Sequence, residues 1–215
     1  MVFFGEGISR LHHHGVVRLF RFLQLQPNRA TLNIHPAYSS VLVSFDPLLV
    51  HPSEYGGYLQ SLVDRLDTVD IPSPHLVEIP VCYDRSLGPD LEFVAHHSGL
   101  TTEAVVRYHC SVEYLVYFIG FSPGFPYLGE LPDVLSSPRL PTPRVRVPAG
   151  SVAIGGTQTG IYSVSSPGGW RIIGRTPMKI FNPDLEPPCL LEMGDLVRFR
   201  PIELAEYRDL AGGGA

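Results

Sequence analysis

The sequence has 215 residues and a mass of 23.7 kDa, which corresponds to one large domain or two small ones. Hydrophobic residues make up 44% and charged residues 17%, a balance that excludes a disordered chain. The net charge of −5 lacks the basic excess of nucleic-acid-binding proteins, and no uncharged apolar run reaches the roughly 18 residues of a membrane span.

Cysteine and histidine give no sign of a disulfide framework or a metal site. Cys82, Cys110 and Cys189 are odd in number and far apart, and the first residues lack the basic and apolar regions of a secretory signal. The histidines at 12–14 lie in a predicted helix, where consecutive side chains point in different directions. We therefore expect a reduced, cytoplasmic protein without a metal ion, a nucleic-acid partner or a membrane partner.

Hydrophobic periodicity predicts alternating strands and helices in the first eighty residues. The predicted order is a short strand at the start, a helix from residue 8, strands over 31–35 and 40–45, a helix over 55–66 and a strand over 76–81. This βαββαβ order is that of the ferredoxin-like fold, in which two helices cover one antiparallel sheet. The first strand is the weakest element, with three or four residues.

The composition changes after about residue 84, where glycine and proline begin to separate short strands. Helices are predicted over 90–98 and from 101, and strands over 114–119, 151–154, 160–164, 170–173, 178–181 and 195–199. Short strands separated by turns are typical of a closed β-barrel. We therefore predict an α+β protein with a ferredoxin-like domain over 1–84, a β-barrel domain over 85–205 and a frayed tail over 206–215.

The segment FSPGFPYL at 121–128 interleaves aromatic residues with proline and glycine. Pro123 and its neighbours stiffen the chain, so Phe121, Phe125 and Tyr127 are held at fixed angles, and Trp170 is a candidate wall nearby. Such rings suit a small-molecule or peptide pocket. They suit equally well a structural corner that covers the end of a barrel.

Two polar side chains and two glycine pairs are further candidates for a site. Arg144 offers a guanidinium fork for a carboxylate or phosphate, or a surface salt bridge, and Gln158 offers a polar contact or a turn. The glycines at 155–156 and 168–169 match neither the phosphate loop nor the dinucleotide fingerprint, so tight turns are favoured over nucleotide binding by this chain alone. No nucleophile elbow is present, and no catalytic residue is assigned.

Several ordered motifs are more specific than these single features. They are PAY at 36–38, FDP at 45–47, FSPGFPYL at 121–128, PTPR at 141–144, VPAGSVAI at 147–154, QTGIY at 158–162, SPGGW at 166–170 and IGRTP at 173–177. The series resembles the KipI family, also known as the first subunit of allophanate hydrolase or the B subunit of 5-oxoprolinase, over nearly the whole chain. The start departs from the family, whose members have a longer first strand before a Phe-Gly pair that matches Phe4-Gly5.

The resemblance implies a ferredoxin-like domain followed by a cyclophilin-like β-barrel. It also implies a component of an ATP-dependent 5-oxoprolinase, inactive alone, that cleaves 5-oxoproline to glutamate with a KipA-type partner (the C subunit) and a LamB/YcsF-type partner (the A subunit). ATP is expected mainly on a partner, because this chain has no lysine-bearing phosphate loop. The residues expected at the substrate are Phe121, Pro123, Phe125, Tyr127, Arg144, Gln158 and Trp170, with backbone N–H groups of Gly155, Gly156, Gly168 and Gly169 toward a phosphate or oxyanion.

Other functions of similar proteins remain open at this point. One branch of the family inhibits a sensor histidine kinase, for which the aromatic face would hold a proline-containing segment. A fused version is similar to half of the carboxyltransferase of a biotin-dependent urea carboxylase/allophanate hydrolase system. Prolyl isomerase activity rests on fold analogy alone. The stand-alone chain favours the separate 5-oxoprolinase component.

Overall fold

The computed structural model describes residues 1–212 and divides them into two compact units, Met1–Ser73 and a second unit that begins at Pro74. Helices and strands occur in both units, and the second contains a closed barrel. The predicted α+β class with a C-terminal β-barrel is therefore confirmed.

The first unit is built on a three-stranded antiparallel sheet. Its elements are β1 (Val2–Phe3), α1 (Arg10–Leu25), β2 (Thr31–Pro36), β3 (Ser40–Phe45), α2 (Pro52–Ser61) and a 3-10 helix (Val63–Thr68). The strands lie in the order β1-β3-β2. Helix α1 begins after Ser9, whose side chain accepts a hydrogen bond from the His12 backbone N–H at 3.2 Å. It buries Val16, Leu19 and Phe22, which share one face at helical spacing.

The second unit contains the barrel. Its elements are β4 (Leu76–Cys82), α3 (Leu91–Ser98), α4 (Thr102–Cys110), β5 (Glu113–Ile119), β6 (Pro126–Leu128), a 3-10 helix (Asp133–Leu135), β7 (Arg144–Val147), β8 (Ser151–Gly155), β9 (Gln158–Ile161), β10 (Ser166–Gly168), β11 (Arg171–Arg175), β12 (Leu196–Ile202) and α5 (Leu204–Gly212). Seven strands close in the order β11-β4-β12-β5-β6-β9-β8, and β7 pairs separately with β10.

The barrel core follows from the alternation of side chains along its strands. Residues two apart on β5 and β12, Tyr114 with Val116 and Val197 with Phe199, are buried. Helix α3 packs on β11 and α4 on β12. The core is thereby formed by strands and helices of the second unit itself.

The strand predicted to complete the N-terminal sheet lies in the barrel instead. β4 runs parallel to β12, from Leu76 opposite Leu196 to Cys82 opposite Ile202, and also borders β11. Its apolar residues are buried as a strand pattern predicts, but the pattern does not specify which sheet the strand joins. The chain consequently divides after Ser73, ahead of the boundary predicted at residue 84.

The predicted tail is helical over most of its length. Residues 206–212 belong to α5, while 213–215 lie outside the described residues. The carboxylate of Glu206 accepts a hydrogen bond from Arg200 Nη2 at 3.0 Å, which ties α5 to β12. Within residues 1–212, no helix is long and apolar enough to cross a lipid bilayer.

Candidate functional site

An aromatic cluster in the second unit is arranged around Phe125, which immediately precedes β6. The Phe125 ring meets Tyr127, Tyr162 and Trp170 edge to face, with ring centroids 5.0, 5.4 and 5.6 Å away. This is a favourable geometry for aromatic pairs, because the positive edge of one ring meets the negative face of another. Phe125, Tyr162 and Trp170 are buried, so their orientations are fixed by packing.

Glycines allow the rings to approach the backbone. A Cβ atom at Gly155, the last residue of β8, would lie 2.5 Å from the Trp170 indole, and one at Gly168 would lie 2.1 Å from the Tyr162 hydroxyl oxygen. Neither distance is compatible with a real side chain. Gly155 therefore provides space for the indole.

The cluster borders a cavity of about 340 Å³. The lining residues are Phe121, Phe125, Tyr127, Arg139, Leu140, Pro143, Tyr162, Pro167, Gly168, Gly169 and Trp170. We call this cavity the aromatic pocket. Its size falls near the lower end of the range of about 300–1,000 Å³ for small-molecule sites.

Phe121 stands out among the pocket residues because its backbone has a φ of +64° while its side chain is 63% exposed. A non-glycine residue pays strain energy in this region. A tight turn holds it there: the Ser122 N–H donates to the Gly120 carbonyl at 2.7 Å, and the Gly120 N–H donates to the Phe125 carbonyl at 3.0 Å. An exposed ring is thus fixed beside the pocket.

The structure brings together most of the predicted site residues. Phe121, Phe125, Tyr127 and Trp170 line the aromatic pocket, as do Gly168 and Gly169. Pro123, Gln158, Gly155 and Gly156 do not belong to the lining. The Gly156 N–H donates to the Ser137 carbonyl at 2.8 Å, so that donor is already used.

Arg144 also lies outside the pocket lining and is engaged by a buried carboxylate. Its Nη2 donates to Asp90 Oδ1 at 2.9 Å, while Asp90 Oδ2 accepts from the Ile172 backbone N–H at 2.8 Å. Asp90 is 6% exposed, and Arg171 Nη1 lies 3.9 Å from the same Oδ1. The neighbour of Arg144 in the chain, Pro143, is a pocket wall.

The sequence did not predict five of the lining residues, Arg139, Leu140, Pro143, Tyr162 and Pro167, and Arg139 is the charged one among them. Its guanidinium carbon lies 5.7 Å from the centre of the Trp170 ring, within cation–π distance. Burial raises the pKa of Tyr127 and of Tyr162, and the positive charge of Arg139 acts in the opposite direction on both. The sequence feature that could have indicated Arg139 is a positively charged side chain between Pro138 and Pro141, since prolines restrict the backbone on both sides of it.

A second polar cluster lies in the barrel core. His109 is fully buried, its Nε2 is 2.9 Å from Thr159 Oγ1, and its Nδ1 is 2.8 Å from the Tyr83 hydroxyl. Thr159 Oγ1 donates to the Ala153 carbonyl at 3.1 Å, so it accepts from Nε2–H, and Nδ1 accepts from Tyr83. Burial lowers the pKa of His109 to about 3, which keeps the imidazole neutral.

The arrangement of metal-ligating side chains gives no candidate metal centre in the described part of the chain. Among residues 1–212, no three histidine, cysteine, aspartate or glutamate side chains are grouped so that they could hold a metal ion.

A family model described as "Carboxyltransferase domain, subdomain C and D" matches residues 1–191. This chain belongs to that family. The carboxyltransferase-family chain is 38% identical to the 5-oxoprolinase B subunit of Bacillus subtilis over 217 residues, which cover 96% of the chain and 90% of that protein. It is 55% identical to the 5-oxoprolinase B subunit of Escherichia coli O157:H7 over 130 residues, 60% of each protein. The family resemblance identified from the motifs is thus confirmed.

A solved structure also aligns with the carboxyltransferase-family chain. The crystal structure of TTHA0988 superposes with a TM-score of 0.82 at 40% identity, over 94% of this chain. The chain spans about two fifths of that solved chain, since the alignment covers 39% of it. The fold of this chain therefore also occurs as part of a longer polypeptide.

Proposed function

We propose that this chain is the B subunit of an ATP-dependent 5-oxoprolinase, which opens the lactam ring of 5-oxoproline to give glutamate. It acts with a KipA-type and a LamB/YcsF-type partner and is inactive alone. The observation that carries the proposal is the near-full-length similarity to a protein named as the B subunit of 5-oxoprolinase.

The aromatic pocket is the proposed place of this chain in the reaction. Phe125, Tyr127 and Trp170 form flat apolar walls that bind a small ring and exclude water from it. The backbone of Gly168 and Gly169 brings peptide groups to the same cavity. Arg144 is held by Asp90 next to the pocket wall formed by Pro143, whereas Gln158 and Pro123 lie outside the lining and are given no role in the pocket.

The pocket residues do not fit a nucleoside triphosphate by themselves. The lining contains one cationic side chain, Arg139, and it has neither a lysine nor a phosphate loop that opens a helix. We therefore place ATP mainly on a partner. The role derived for this chain is to bind and orient the lactam.

Reconstitution tests the proposal directly. The three purified subunits, mixed with 5-oxoproline and ATP, are expected to release glutamate, which a coupled glutamate dehydrogenase assay measures. Mixtures that lack this chain, or lack ATP, serve as controls and are expected to release none. A complete, correctly assembled mixture that releases no glutamate would refute the function.

A further inference from the structure

The aromatic pocket contains the positive charge of Arg139, with which no carboxylate among residues 1–212 forms an ion pair. Its guanidinium carbon lies 5.7 Å from the centre of the Trp170 ring. The two arginines nearby in the fold differ, because Arg144 and Arg171 share Asp90. Arg139 is therefore the one guanidinium of the pocket lining, and it is exposed.

The backbone around Arg139 is fixed on both sides. The Ser137 N–H donates to the Gly156 carbonyl at 3.1 Å, and the Leu140 N–H donates to the Gly169 carbonyl at 2.7 Å. Between them, the Pro138 carbonyl accepts a hydrogen bond from Arg171 Nε at 3.1 Å. Three hydrogen bonds thus hold the backbone that carries Arg139 against the pocket, so little ordering of the backbone is required when a ligand arrives.

The remaining lining selects for the shape of the ligand. Five aromatic rings and two prolines surround a cavity of about 340 Å³, which suits a compact, flat or ring-shaped molecule. A planar guanidinium matches the geometry of a carboxylate, to which it can donate two parallel hydrogen bonds. An apolar ring that bears one carboxylate complements both features.

We propose that the aromatic pocket binds a small ring compound that carries a carboxylate, with Arg139 as the partner of the carboxylate and Trp170 beside the ring. The assignment of this ligand as the lactam substrate rests on the proposed function. The carboxylate of 5-oxoproline does not react when the ring opens, so Arg139 contributes to binding rather than to the chemical step. It is a specificity-determining residue of the site.

Trp170 provides a direct readout, because it is the single tryptophan of the chain. Titration of the purified chain with 5-oxoproline is expected to change its tryptophan fluorescence in a saturable manner. 5-Oxoprolinamide, which has the same ring but no carboxylate, is expected to bind at least about tenfold more weakly, as is 5-oxoproline to R139Q. R139K keeps the positive charge but lacks the planar guanidinium, so its affinity for 5-oxoproline is expected to lie between those of wild type and R139Q.

A matched control comes from Arg146, an exposed arginine of β7 that does not line the pocket and donates to Ser165 Oγ at 3.0 Å. R146Q is expected to bind 5-oxoproline like the wild type. Equal affinity of the wild-type chain for the acid and the amide, or of R139Q and wild type for the acid, overturns the proposal. Circular dichroism of R139Q, matching that of wild type, establishes that the variant is folded.

The reconstituted mixture separates this proposal from the proposed function. There, R139Q is expected to raise KM for 5-oxoproline about tenfold or more and to leave kcat within a few-fold of wild type. An unchanged KM overturns the role of Arg139 while the function stands. Carboxylate-dependent binding to the chain without glutamate release from the mixture supports the pocket and refutes the function. If the chain shows no carboxylate-dependent binding and the mixture releases no glutamate, the role of the pocket and the proposed function are both refuted.

Discussion

Arg139 and Arg144 are near neighbours in the chain, yet they contact different groups. Arg139 lies over Trp170 in the aromatic pocket, whereas Arg144 is bound by Asp90 at the start of α3. Asp90 also accepts the Ile172 N–H, so a single buried carboxylate joins α3, β7 and β11. Because Pro143 precedes Arg144 and lines the pocket, this ion pair fixes one wall.

Replacement of Arg144 tests this positioning role. R144A leaves the buried carboxylate of Asp90 with one fewer hydrogen-bond donor, and we expect the free energy of unfolding to fall by about 1–3 kcal/mol. We expect turnover of the reconstituted mixture to fall by about tenfold to a hundredfold, because the pocket wall shifts.

Co-elution of the subunits and the glutamate assay measure the two effects of R144A separately. The subunits are expected to remain assembled. The control is R146A on the same strand, whose guanidinium is exposed and is expected to leave turnover unchanged. Normal turnover in R144A would remove this residue from the site.

At the scale of elements, β8 and β9 determine how closely the aromatic rings approach the barrel wall. Gly155 at the end of β8 and Gly160 in β9 both lie against the Trp170 indole, where a Cβ atom would stand 2.5 and 3.1 Å from it. Gly160 also meets the Phe125 ring. The Trp170 indole therefore packs directly against the backbone of β8 and β9.

A methyl group at Gly155 is expected to displace that indole. We predict that G155A lowers the free energy of unfolding by about 1–3 kcal/mol through overpacking and alters the emission spectrum of Trp170. Urea unfolding followed by circular dichroism and tryptophan emission measures both. In G169A the nearest atom, Pro143 Cγ, lies at an ordinary 3.6 Å, so this control is expected to resemble wild type. An unaltered spectrum and midpoint in G155A would contradict the packing argument.

At the scale of the whole molecule, the aromatic pocket is assembled from three stretches of the second unit. The stretch with Phe121 to Tyr127 enters β6, the stretch with Arg139 to Pro143 precedes β7, and the stretch with Tyr162 to Trp170 contains β10. The pairing of β6 with β9, and of β9 with β8, brings the first and third together. Hydrogen bonds from Ser137 and Leu140 attach the second.

This assembly explains what could be predicted from the sequence. The positions of α1, β2, β3 and β4 in the chain were predictable, because hydrophobic periodicity and turn residues depend only on neighbouring positions. Four of the five aromatic rings of the pocket were predictable because the FSPGFPYL and SPGGW motifs contain them, whereas Tyr162 lies in neither motif. The sheet to which β4 belongs, the Asp90 partner of Arg144 and the position of Arg139 were not, since each depends on contacts between distant parts of the chain.

The buried His109 couples the stability of the second unit to pH. Protonation would place a charge in the core beside Phe199 and disrupt the hydrogen bond that Nδ1 accepts from Tyr83. The pKa of His109 is about 3 in the folded state and near 6.5 in the unfolded chain, so the unfolded chain binds the proton more readily. The free energy of unfolding is therefore unaffected by His109 above about pH 6.5. It decreases as the pH is lowered toward 3, by at most about 1.4 kcal/mol per pH unit.

Urea unfolding between about pH 7.5 and pH 5 measures this loss. This pH window lies above the range in which the carboxylates of Asp84 and Glu103 titrate. Hydrogen bonds from Ser86 lower the pKa of Asp84, and a hydrogen bond from its own backbone N–H lowers the pKa of Glu103. His109→Gln keeps an amide that can accept from Tyr83 and donate to Thr159 but cannot titrate, so its unfolding midpoint is expected to depend less on pH than that of wild type. If wild type and His109→Gln lose stability in parallel over this window, the proton binds elsewhere, and the barrel core is insensitive to pH in this range.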